Sequence, residues 1–119
     1  MIAIKRIYAE RDPADGYRVL VDRLWPRGFK REALAFDEWA KAIAPSNELR
    51  NWYRHQSDLW PKFQIRYRLE LATPEAVAAL AWLRAIARKG NVTLLTATSN
   101  ETENHAVVLK GMIGGKRRS

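Results

Sequence analysis

The segment Tyr17-Arg-Val-Leu-Val-Asp-Arg-Leu-Trp-Pro-Arg-Gly28 constrains this chain most, because the apolar run Val19–Val21 passes directly into Asp22, Arg23, Trp25 and Arg27. A strand that is apolar without alternation has both faces covered, as an inner strand of a parallel sheet does. Pro26 and Gly28 then stop it. The exit is equally informative. A structural strand end has no use for two arginines, a carboxylate and an indole packed so closely, whereas an anion-binding or acid/base pocket uses all four.

The rest of the chain supplies the covering layers. Ile2, Ile4 and Ile7 mark a first strand, the turn-rich Glu10–Gly16 follows, and Tyr17–Leu24 is the second strand. Ala33–Ala44, with Leu34, Trp39 and Ile43 at helical spacing, reads as a helix ended by Pro45. Ser46 caps a short helix through Arg54, and Trp60, Phe63, Tyr67 and Leu71 form the apolar stripe of another from about Asp58 to Leu71. Arg66 and Glu70 are spaced there for an i,i+4 pair. Thr73, Pro74 and Glu75 at one end and Arg88-Lys89-Gly90 at the other frame an Ala/Leu-rich helix. Asn91–Ala97 is a third strand, and Asn100 with Glu103 forms a capping-box variant opening a last helix through about Met112. Trp39, Trp52, Trp60 and Trp82 fall in these helices as expected core residues.

This order predicts one α/β domain over residues 1–113, a small three-layer sandwich around a mostly parallel sheet. The second and third strands are expected to be parallel. The direction of the first stays open, since its connection is shorter than a usual parallel crossover. Residues 114–119, Gly-Gly-Lys-Arg-Arg-Ser, are expected to form a basic flexible tail.

Composition removes several function classes. The chain has no cysteine and two histidines, which excludes disulfides and a cysteine nucleophile and leads us to expect no metal site and no cofactor. No apolar run reaches the ~20 residues of a membrane span, and no secretion leader is visible, so a cytoplasmic protein with no membrane partner is expected. The net charge of +8 lies in the first half and the tail, which keeps a nucleic-acid-binding or regulatory module as the alternative function. No helix-turn-helix with a basic face accompanies it.

Ligands of parallel sheets lie beyond the carboxyl ends of the strands. The second strand delivers Asp22, Arg23, Trp25 and Arg27 there. The third delivers Thr96, Thr98, Ser99 and Asn100, leading to Asn104 and His105. We therefore expect a small anionic ligand, phosphate- or nucleotide-like, gripped by Arg23 and Arg27 and completed by Trp25, Ser99 and Asn104. Asp22 and His105 are the proton-transfer and hence catalytic candidates. A structural alternative pairs Asp22 with a neighbouring arginine. His55 is a weaker candidate, and Arg50, Arg54, Arg66 and Arg68 mark a basic surface. Whether the chain is an enzyme, and its oligomeric state, are left open.

Four ordered motifs carry a family resemblance. They are Gly16–Gly28, Ala44-Pro-Ser-Asn-Glu-Leu-Arg50, Phe63-x-x-Arg66-Tyr67-x-x-Glu70-Leu71 and Asn104-His-Ala-Val-Val-Leu109. Together they resemble the YeaO-like branch of the domain of unknown function 488 family over nearly the whole chain. The resemblance implies an α/β domain of this size, usually bacterial, with no established reaction. Related branches carry an Asp-x-Arg strand exit and a late Cys-x-Glu…Cys-His-Arg segment. This chain reads Thr96-Ala97-Thr98…Asn104-His105-Ala106 in that region and lacks the cysteines, the glutamate and the final arginine. Of that pattern only Asp22 and His105 carry over, and thiol or metal chemistry does not.

Overall fold

In the computed structural model, which describes residues 1–54 and 56–114, the Val19–Val21 run occupies the inner position its sequence requires. The four strands are β1 (Ile2–Arg6), β2 (Tyr17–Leu20), β3 (Glu38–Trp39) and β4 (Val92–Thr96). They lie in the order β1-β4-β2-β3, and every neighbouring pair is parallel. Val19, Leu20 and Val21 are fully buried, as are Val92, Leu94 and Leu95 on β4. The direction of β1 follows from β4 lying between it and β2. The two early strands never pair, so their link only has to return along the sheet, which it does through a 3₁₀ turn at Pro13–Asp15. Asp12 and Asp15 close that turn as a reciprocal capping box. Gly16 leaves it at φ 66, a conformation that glycine adopts without a Cβ penalty.

Pleating sorts the side chains onto two faces. Val19, Val21, Val92 and Leu94 join the core contributed by four helices, α1 (Asn47–Tyr53), α2 (Trp60–Glu70), α3 (Pro74–Lys89) and α4 (His105–Gly114). Leu20 and Leu95 point the other way, with Ile7 and Leu34, under Trp25, Phe29, Phe36 and Trp39. The class is α/β, as the sequence implies. The layer over the second face is irregular chain rather than helix. No helix among the described residues is long and apolar enough to cross a membrane.

The strongest local signals act as expected. Thr73 caps α3 through the Ala76 N–H with Pro74 in its first turn, and Gly90 follows its end. Ser46 caps α1 through Leu49 N–H. Four expectations need correction. The helix expected over Ala33–Ala44 is absent: the stretch breaks into a 3₁₀ turn at Arg31–Ala33, strand β3 and a second 3₁₀ turn at Lys41–Ile43. Sheet pairing overrides helical spacing there. Asp37 N–H donates to the Arg18 carbonyl, Ala40 N–H to that of Leu20, and the Asp37 carboxylate receives Arg18 N–H.

Glu70 does not pair with Arg66. Its carboxylate accepts from the backbone N–H and hydroxyl of Ser46, and the Arg66 guanidinium lies over Trp52 instead. Trp82 is not a core residue. It is 43% exposed and meets Tyr17 edge-on. The last helix begins at His105, and its cap lies four residues later than expected. Asn100 folds an Asx turn of its own through Thr102 and Glu103 N–H, and Asn104 caps α4 through Val107 N–H. Lys116, Arg117 and Arg118 of the expected tail lie outside the described residues, and so does His55.

Candidate functional site

At the carboxyl ends of β2 and β4 lies a cleft of about 540 Å³, with Asp22 and His105 among its lining residues. Asp22 stands just beyond β2. Its Oδ1 accepts from Thr96 Oγ1 at 2.7 Å, its Oδ2 from the Ala97 N–H at 2.8 Å, and His105 Nε2 stands 2.8 Å from Oδ1. One carboxylate therefore joins the exits of two adjacent strands to the start of α4. Its partner is a histidine rather than the neighbouring arginine of the structural alternative. Burial pushes the Asp22 carboxyl upward. The hydrogen bond and charge of His105, with the donors Ala97 N–H and Thr96 hydroxyl, outweigh burial and hold it below the ordinary carboxylate range. Asp22 is thus an anion at neutral pH.

An ionised carboxylate offers only lone pairs, so the nitrogen facing it must carry hydrogen. The bond to Asp22 therefore places an N–H on His105 Nε2, so that in the neutral tautomer the lone pair falls on Nδ1. The Tyr67 ring meets the imidazole edge-on at 6.4 Å.

The remaining expected residues divide sharply. Trp25 and Arg27 line the cleft. Trp25 is fixed by its indole N–H on the Phe29 carbonyl and by contacts with Phe36 and Trp39. Arg27 is exposed and forms no hydrogen bond or ion pair with the described residues. Arg23 does not line the cleft. Its Nε donates to the Pro45 carbonyl at 3.0 Å and Nη2 to that of Ala44 at 2.9 Å, which pins the chain entering α1. Ser99 is exposed and away from the lining. Asn104 is buried and spent on the α4 cap, with its Nδ2 on the Asn100 carbonyl.

Helix α1 adds what the strand exits do not. Arg50, Asn51, Tyr53 and Arg54 line the opposite wall, with Pro45 and Phe63 beside them. Arg50 spends one nitrogen on the Asn47 side chain and Arg54 its Nε on the Asn51 carbonyl. Tyr53 donates to the Glu103 carbonyl, and burial with the Glu103 charge pushes its phenol up to about 12, so it stays protonated. The basic character of Arg50 and Arg54 was visible in the sequence. Their position was not, because it depends on where Arg23 and Glu70 hold the start of α1.

Comparison with known proteins places this geometry in a family. Residues 1–117 match the family model described as "Inactive DUF488-N3 subclade". The uncharacterized protein YeaO of Escherichia coli strain K12 is 46% identical over 108 residues, covering 91% of this chain and 92% of the relative. An uncharacterized protein of Mycobacterium tuberculosis strain H37Rv is 42% identical over 115 residues, covering 97% and 95%. No solved structure matches. The agreement over nearly the full length of both relatives, together with the family match, shows that this chain belongs to the DUF488, YeaO-like family.

Proposed function

We propose that the cleft binds a small anionic ligand, with phosphate or carboxylate held by the arginines of its walls and the rest of the molecule over the Asp22–His105 floor. The observation that carries this reading is the convergence of Arg27, Arg50 and Arg54 on one cleft in which Arg27 has no protein partner among the described residues. Guanidinium groups favour planar oxyanions through paired hydrogen bonds. The volume suits a molecule of nucleotide size. Arg54 supports it further. It ends α1 in the left-handed conformation at φ 45, where glycine is relaxed and other residues are disfavoured by about 1 kcal/mol. A strained arginine at a cleft wall is a feature that binding explains.

Within this reading Asp22 is a positioning residue, because both of its oxygens already accept hydrogen bonds. His105 Nδ1 is the floor group left for the ligand. The family description "Inactive" agrees with a site that binds rather than turns over. The test is calorimetry and thermal shift of the full chain with inorganic phosphate, nucleoside monophosphates and dicarboxylates. Arg27→Ala should weaken binding by about tenfold, the worth of one charge-assisted contact. Arg88→Ala, on the opposite end of the sheet, should change nothing. A panel with no binder, or equal loss in both variants, overturns the proposal. Tighter binding of oligonucleotides than mononucleotides, falling steeply with salt, would favour the nucleic-acid alternative.

A further inference from the structure

His105 is placed for more than a hydrogen bond. Its Nε2 is held by Asp22 at 2.8 Å, and Nδ1 has no hydrogen-bond partner among the described residues. No fully buried side-chain nitrogen or oxygen among those residues is left without a partner, so this nitrogen keeps some contact with solvent. Its neighbours in the cleft are poor nucleophiles. A guanidinium offers no lone pair, the Asp22 carboxylate is engaged by Thr96, Ala97 and His105, and the Tyr53 phenol is committed to the Glu103 carbonyl. Orientation of the imidazole by a carboxylate on one nitrogen leaves the other as an activated nucleophile. Three arginines suited to a phosphoryl group line the same cleft.

We propose that His105 is a phosphoryl-acceptor site, taking the group on Nδ1 from a high-energy donor such as an acyl phosphate or a phosphoramidate. The inference rests on the anion-binding reading, since the same arginines hold the donor. The Nδ1 lone pair forms the N–P bond. The P–O or P–N bond to the leaving group breaks, and the carboxylate or amine departs with that electron pair. No proton has to leave the ring. Nε2 keeps its hydrogen, and the positive charge developed on the imidazolium faces the Asp22 carboxylate. The phosphoryl oxygens, bringing about two negative charges, fall to the arginines. The modified cleft is then filled by its own anion, so modification and ligand binding exclude each other.

The experiment incubates the full chain with phosphoramidate, and separately with acetyl phosphate, and follows intact mass and 31P NMR. The expected product carries one phosphoryl group on His105 Nδ1, labile to acid and stable to alkali. His105→Gln should abolish it and His55→Gln should leave it intact. Asp22→Asn should slow labelling by about tenfold through loss of the charge behind the ring. Because Asp22→Asn also loosens the strand exits, the site is mapped independently by fragmenting the labelled wild-type protein. Absence of label, label on His55 alone, or equal labelling of the His105→Gln protein overturns the proposal. Phosphate calorimetry separates the two readings. Phosphate binding without labelling overturns the acceptor site alone, and labelling without phosphate binding overturns the arginine-held anion.

Discussion

Removing the Asp15 carboxylate should destabilise this fold more than any single surface change, because Asp15 is the charge partner of the fully buried Arg18. Arg18 is 1% exposed. It places Nη1 on Asp15 Oδ2 and Nε on the Ala35 carbonyl, while Lys5 takes the other Asp15 oxygen. Asp15→Ala leaves the guanidinium with one neutral acceptor. Breaking a buried pair in this way costs about 3–5 kcal/mol. The half-exposed Lys5 contact adds less than about 1 kcal/mol, and loss of the Asp12 N–H acceptor in the 3₁₀ cap about as much. Against a typical total of about 5–15 kcal/mol the variant should be marginal. With a urea slope of about 2 kcal/mol/M, its midpoint should fall by about 2 M at unchanged slope, followed by far-ultraviolet circular dichroism. Adding Arg18→Met should recover most of the loss, since the uncompensated charge goes with it. A midpoint within about 0.3 M of wild type, or a further fall on adding Arg18→Met, refutes the reasoning. The pH dependence has a definite sign. Lys5, the Asp12 N–H and Arg18 hold the Asp15 carboxyl at about 2 in the fold, below its unfolded value of about 4. Its contribution is therefore present above about pH 4 and lost as pH falls toward 2, and Asp15→Asn should lose that slope.

Gly16→Ala tests the strand junction. A Cβ there would stand 2.1 Å from the Asn91 carbonyl oxygen at φ 66, so the variant should lose about 2–4 kcal/mol in urea unfolding. Gly28→Ala, equally left-handed but with open space around it, should lose only about 1 kcal/mol, and equal losses would mean that the close approach does not matter. Arg31→Ala tests the aromatic wall of the cleft. The Arg31 guanidinium lies 4.9 Å from the Trp25 ring centroid and 5.8 Å from those of Phe36 and Trp39. In 5-fluorotryptophan protein the 19F resonances of Trp25 and Trp39 should move while those of Trp52, Trp60 and Trp82 stay. Five unmoved lines would show that Arg31 does not hold the wall.

What was legible in the sequence is what local physics decides. The Val19–Val21 run specified an inner strand, and Thr73, Pro74 and Gly90 framed α3, because backbone geometry and capping act within a few residues. Ala33–Ala44 failed for the complementary reason. Its helical spacing is real, yet Asp37 and Ala40 satisfy their N–H groups on β2, a partner that no local window contains. Asn104 and Arg23 are likewise engaged by the protein's own groups. Each has the chemistry of a binding group, and each is spent on backbone, one capping α4 and the other holding the Ala44-Pro45 carbonyls. Polar type and strand-end position identify a region, whereas the count of free donors that makes a ligand contact exists only after folding.

That count also explains why so many polar residues crowd one strand exit. Asp22 lends its carboxylate to Thr96, Ala97 and His105 and its carbonyl to the Trp39 indole, so it fixes β4, α4 and the second face at once. Arg23 holds the start of α1, Trp25 forms a wall, and Arg27, unlike Arg23, has no hydrogen-bond or ion-pair partner among the described residues. Such a division is economical in a chain of 119 residues. A small domain has few side chains to orient a site, and the residues nearest the chemistry must also join the elements that create it. The same coupling makes Asp22 the hinge of both proposals: the anion cleft needs it to set the floor, and the acceptor histidine needs its charge.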